Sequence, residues 1–180
     1  MRTSQRNIAG GLLAGLLLSG CGGGQRVTEP PRAAARAPRP PLAHGLSAAD
    51  YVAAAGELDL YVITASELAL KRTQAPRVRE VAERLIVAHR GSSAQLSLGG
   101  RRLNLLPSAA LSPRYQQLLE QLYASANFDP DYALQMKVAH QDAARLHSDY
   151  ARSGGSPTLV PIARALAPIM EQQKRLVSYL

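Results

Sequence analysis

The stretch Pro76–Leu98, PRVREVAERLIVAHRGSSAQLSL, limits the possible folds more than any other part of the chain. Val78, Ala82, Leu85, His89, Ser92 and Leu96 recur at spacings of 4-3-4-3-4, which makes one stripe along an α-helix. Arg77, Arg79, Arg84 and Arg90 mark its outer faces. A stripe of this length has to be covered by other elements, and it carries a histidine, His89, into whatever covers it. Pro76 suits a first helical turn, and Gly99-Gly100 is expected to stop the helix.

Three other long segments carry matching stripes. The first runs from a cap at Ser47, with Asp50 three residues on, to about Thr73. Its apolar positions are Tyr51, Ala55, Leu58, Val62, Ala65 and Leu68, flanked by Glu57, Asp59 and Glu67, which read as a solvated face. A second runs from Asp129-Pro130 to about Arg152, with Ala133, Met136, His140, Ala143, His147 and Tyr150 in register and Gly154-Gly155 as its stop. The third follows Ser156-Pro157 to the C-terminus, with Leu159, Ile162, Leu166, Ile169, Gln173, Leu176 and Leu180 as its stripe. Pro168 interrupts its hydrogen bonding at the Arg164 carbonyl and is expected to kink it. A short helix from Ser112-Pro113 to about Ala124 completes the set. No alternating strand pattern competes. The chain is therefore read as all-α: an up-down four-helix bundle over residues 47–180 with one short extra helix. An apolar content of 46% supports one core, and with aromatics at only 4% that core is expected to be mostly Ala, Leu, Val and Ile, residues suited to close helix packing.

The first 46 residues have a different character. Arg2 and Arg6 precede a short apolar run, Ile8 to Leu18, which is too short to span a bilayer and fits a secretory signal over residues 1–20. It ends in Leu18-Ser19-Gly20-Cys21, which resembles a bacterial lipobox. That resemblance implies that Cys21 carries fatty acyl chains such as palmitate and anchors the protein in a membrane. Gly22 rather than Asp follows, which in that class implies outer-membrane sorting, with the domain on the periplasmic side. Residues 21–46 form a tether rich in Pro, Ala and Arg. Signal and tether supply most of the excess positive charge. Beyond them 15 Lys and Arg face 12 Asp and Glu, so the basic pI does not argue for nucleic acid.

In an up-down bundle the turns near residues 75 and 155 lie at one end. His89 is 14 residues beyond the first and His140 is 15 before the second, so both stand ~21–22 Å from that end. They are expected to share a polar layer with Gln173, with Glu57, Asp59 or Glu171 near its rim. A di-iron bundle needs Glu-x-x-His motifs, and Ile86, Lys137 and Ala144 stand where those glutamates would be. Two readings remain: histidines satisfied by hydrogen bonds, or a single Zn or Fe held by His89, His140 and a carboxylate such as Glu57. No Gly-x-Ser-x-Gly and no second cysteine support nucleophilic catalysis.

Four stretches carry a resemblance: ASELALKR (Ala65–Arg72), VAERLIVAHRGSSAQL (Val81–Leu96), NFDPDY with the following QMKVAH (Asn127–His140), and ALAPIMEQQKRL (Ala165–Leu176). Together they resemble the bacterial ferritin-like "predicted outer membrane protein" family, domain of unknown function 4142, over Ala49–Leu180. The resemblance implies a ferritin-like bundle and brings no established activity with it. His89 and His140 match histidines of that family. Ala88 stands where it has Asp, Val62 and Thr64 where it has a Glu pair, and Gln173 where it has a last-helix His. The polar site is thus a reduced one. The expected function is a non-enzymatic, lipid-anchored interaction or envelope-stress module with an envelope protein as partner. The alternatives are a mononuclear metal-binding or redox bundle and, from Pro168 and the Ala-rich core, a carrier of a small apolar ligand.

Overall fold

The computed structural model describes residues 45–180; the signal, Cys21 and nearly all of the tether lie outside them. Five helices follow one another: α1 (Ala48–Arg72), α2 (Pro76–Arg101), α3 (Pro113–Ala124), α4 (Phe128–Ser153) and α5 (Leu159–Ser178). There is no strand among the described residues, and none of these helices is long and apolar enough to cross a membrane. The fold is the expected four-helix bundle with one short extra helix.

Local chemistry sets most boundaries. Ser47 Oγ accepts from the Asp50 amide at 3.1 Å and donates to the Asp50 carboxylate at 2.7 Å, a reciprocal cap on α1. Thr73 Oγ1 accepts from the Ala75 amide in the turn before Pro76. Ser156 Oγ accepts from the Leu159 amide at 3.3 Å, so it caps α5 across a turn at Pro157-Thr158. α4 begins one residue before Asp129, and Pro130 falls in its first turn, where a missing amide hydrogen costs little. α5 continues unbroken through Pro168, which is exposed along with Arg164, so water can reach the carbonyl that Pro168 leaves without a donor.

Gly99-Gly100 does not stop α2. Both residues are buried inside the helix, which runs on to Arg101. A Cβ on Gly100 would stand 2.2 Å from the Leu105 carbonyl oxygen, and one on Gly99 would stand 2.3 Å from Ile162 Cδ1. The glycines are there for close approach of neighbouring chain. The reversal is made just after them, where Asn104 takes the left-handed conformation with φ of 56°.

α1 packs on α2 and α4, α5 also packs on α2 and α4, and α3 lies against α1 and α4. The four long helices thus form a ring in which α2 and α4 are diagonal. Their directions correct the expected register. Arg72, at the end of α1, donates to the carbonyls of Leu122, Tyr123 and Ser125, just before α4 begins. Tyr51, near the start of α1, stacks on Tyr150, near the end of α4. Gly99, near the end of α2, meets Leu159 and Ile162 at the start of α5. The turns at 73–75 and 154–158 therefore lie at opposite ends. Two antiparallel hairpins, α1–α2 and α4–α5, are joined by a long return that contains α3, and α2 and α4 run parallel. His89 and His140 are level because they lie 13 and 12 residues into helices that start at the same end, ~18–20 Å from it.

The stripes of α1, α2 and α4 are buried as expected. That of α5 is turned by a fraction of a step. Leu159, Ala163, Leu166, Met170, Gln173 and Val177 face inward, while Ile162, Ile169, Leu176 and Leu180 sit at its margins. The apolar core falls into two clusters. One contains Leu58, Val62, Leu85, Met136 and Met170; the other contains Val52, Ala55, Leu96, Leu146 and Leu166.

Candidate functional site

His89 reaches from α2 across the bundle axis to His140 on α4. Their Nε2 atoms are 3.2 Å apart, with ring planes at 81°. Each ring is held from behind. His89 Nδ1 is 2.7 Å from Asp59 Oδ1 on α1, and Ser93 Oγ donates to the other Asp59 oxygen at 3.2 Å. His140 Nδ1 donates to the Met136 carbonyl at 2.7 Å. His89, His140 and Asp59 are all fully buried.

This arrangement fixes the hydrogens. A backbone carbonyl only accepts, so the His140 hydrogen is on Nδ1. Burial and the nearby His89 push His140 down to about 3, against a smaller upward pull from the Met136 carbonyl, so its ring is neutral and its Nε2 is an acceptor. The hydrogen between the two rings therefore belongs to His89 Nε2. A second hydrogen lies between His89 Nδ1 and Asp59. Asp59 accepts at both oxygens, from His89 and from Ser93, which is how a carboxylate can lie in a dry core.

Asp59 was expected on a solvated face or at the rim. It is instead the innermost carboxylate of the described residues. The signal was present in the spacing: Asp59 is four residues after Ala55 and three before Val62, both buried. Glu57, the carboxylate expected as a metal ligand, accepts from the Ser112 amide at the head of α3 and takes no part in the pair. Glu67 pairs with Arg90 at 2.8 Å, and Glu171 pairs with Lys174 on the surface. Gln173 is nine-tenths buried but bonds to neither histidine, and its Oε1 has no hydrogen-bond partner.

A second buried pair lies nearby. Tyr51 OH and His147 Nδ1 are 2.9 Å apart, and Tyr51 stacks on Tyr150 with centroids 3.9 Å apart. Burial and His89 push His147 to about 3, and burial raises Tyr51 well above the usual phenol range. Both are therefore neutral at ordinary pH.

The wiring differs from that of a serine hydrolase. There the histidine stands between serine and aspartate. Here Asp59 stands between Ser93 and His89, and the free side of His89 is taken by His140. Ser93 has no base. A four-coordinate zinc centre does not fit either, because no group of three or more His, Cys, Asp or Glu among the described residues could hold a metal ion. The two facing nitrogens, each backed by a carboxylate or a carbonyl, are the arrangement by which metal-binding histidines are oriented. They suit one cation of low coordination number.

Comparison with known proteins fits this fold. The model of a family described as a domain of unknown function, DUF4142, matches residues 31–180, and the chain belongs to that family. No curated protein sequence matches it. Among solved structures it is similar to CopM in the Cu(II)-bound form, with 14% identity and a TM-score of 0.64 over 74% of this chain and 95% of that one. It is also similar to CopM in the Cu(I)-bound form, with 15% identity and a TM-score of 0.63 over 75% and 95%. At these identities the likeness concerns the fold.

Proposed function

We propose that this chain is a non-enzymatic cation-holding protein of the bacterial envelope, and that its cargo is a single monovalent copper ion between His89 Nε2 and His140 Nε2. The observation that carries this reading is the pair itself: two buried imidazoles whose Nε2 atoms face each other at 3.2 Å, with both Nδ1 atoms tied back. Asp59 and the Met136 carbonyl would orient the two ligands. Two imidazoles form too small a donor set for zinc or iron but suit a soft ion that tolerates two ligands. That CopM has been seen with copper in both oxidation states supports the choice of metal. The present spacing is that of a hydrogen bond, shorter than two metal–imidazole bonds of ~2.0 Å end to end. Uptake therefore displaces the bridging hydrogen and parts the rings. Held there, copper would be kept from water and from external thiols.

The test is titration of the full chain, purified without chelator, with Cu(I) against a chromogenic competitor. About one copper per chain is expected, with release of about one proton and affinity falling about tenfold per unit of acidification. His89→Ala combined with His140→Ala is expected to bind less than ~0.1 per chain. Wild-type binding at that low level would end the copper reading.

The place of action rests on the sequence Leu18-Ser19-Gly20-Cys21. On this reading Cys21 is acylated and hangs the domain at the periplasmic face of the outer membrane. Cys21→Ser is expected to shift the protein from the membrane to the soluble fraction. Unchanged fractionation would remove the anchor from the account.

A further inference from the structure

We propose that the seam between α2 and α5 is the access route to the His89–His140 pair, and that the Gln173 side chain is its gate. This rests on the reading above for its cargo, though not for its geometry. A groove of about 670 Å³ opens along this seam, lined by Arg84, Val87, Ala88, Gln173, Leu176 and Tyr179 among others. Ala88 is the chain neighbour of His89. α2 and α5 are antiparallel, with Gly99 against Leu159 and Ile162 at one end and Ala88 sharing the groove with Gln173 further along. Carrying that register inward puts Gln173 within about two residues, ~3 Å, of the level of His89. The groove thus opens on the surface at the axial level of the pair, and Gln173 is the buried polar side chain among its lining residues.

The state of Gln173 sets it apart from a structural residue. It is 9% exposed, and its Oε1 is buried without a hydrogen-bond partner. A buried amide oxygen left this way weakens the fold, and an apolar side chain would fill the same space without that cost. A long, unbranched side chain with no tie to hold it can swing. Asp59 and Ser93 stand behind His89, and the Met136 carbonyl stands behind His140, so neither Nδ1 side offers an approach. The charges at the mouth are close to balanced. Arg84 pairs with Glu80 at 2.9 Å, and Glu83 lines the same groove as Arg175. A small cation therefore meets no strong net field there.

Two measurements on the full chain test this. The first is the rate of Cu(I) transfer from a competitor into the protein. The second needs no metal: deuterium exchange at the imidazole C2–H of His89 and His140, read by mass spectrometry. Gln173→Leu, which fills the groove with an apolar branch, is expected to slow both by about tenfold or more, with copper stoichiometry unchanged. Gln173→Ala is expected to speed both. Rates that do not respond to either substitution overturn the gate and leave the copper site standing. Exchange rates that respond, in a protein that takes up no copper, uphold the route and remove the cargo.

Discussion

Asp59→Ala is expected to cost the fold about 3–5 kcal/mol, the range for removing one partner of a buried charged or hydrogen-bonded pair. Asp59 is fully buried and accepts at both oxygens, from His89 and from Ser93. Without it, the His89 Nδ1 hydrogen and the Ser93 hydroxyl both lose the acceptor they share. At about 2–8 °C per kcal/mol, a fall in melting temperature of at least ~6 °C follows. Asp59→Asn keeps an acceptor for His89 and is expected to lose clearly less. Urea melts of the three proteins decide the matter. A loss below ~1 kcal/mol for Asp59→Ala would show that Asp59 does not hold the ring.

The second large effect is acid destabilisation. His140 and His147 are each held at about 3 in the folded chain, chiefly by burial and secondly by the nearby His89. In the unfolded chain each titrates near ~6.5. Between these values the unfolded chain binds protons that the folded chain refuses. Stability is therefore intact above about pH 6.5 and is lost as pH falls toward about 3. At pH 4.5 each ring has cost roughly 2–3 kcal/mol and the two together about 5. Thermal melts at pH 7.5 and 4.5 should differ accordingly, and His147→Gln should recover about half of the loss. A midpoint unchanged over that range would mean that the rings are not buried as neutral groups.

Much of this was legible in the sequence, and the reason is periodicity. The stripes of α1, α2 and α4 place His89 and His140 inside, because a 3.6-residue repeat assigns a face without reference to neighbours. The common height of the two histidines also came out right, but the argument for it did not. It assumed that consecutive long helices alternate, whereas the segment through α3 returns the chain to its starting end. Nothing in a local pattern distinguishes a connection that turns back from one that crosses over. Gly99-Gly100 misled for a related reason. A glycine pair after an apolar run can end a helix or let another chain come close, and the choice depends on Leu105 and Ile162, which are distant in the pattern. The α5 stripe is read from the sequence through Ile162 and Ile169, while the structure buries their chain neighbours Ala163 and Met170 and leaves the two isoleucines at the margin. Asp59 was missed as a core residue because a carboxylate is ordinarily expected outside. Only its partner across the bundle explains its position.

The order of the helices has one more consequence. His89 belongs to the first hairpin and His140 to the second, and the chain between them includes the whole of α3. Neither half can make the imidazole contact alone. The donor set comes into being only at the moment the two halves dock, so a partly folded chain has no competent site to offer. Any early intermediate is blind to the ion that the native protein would hold.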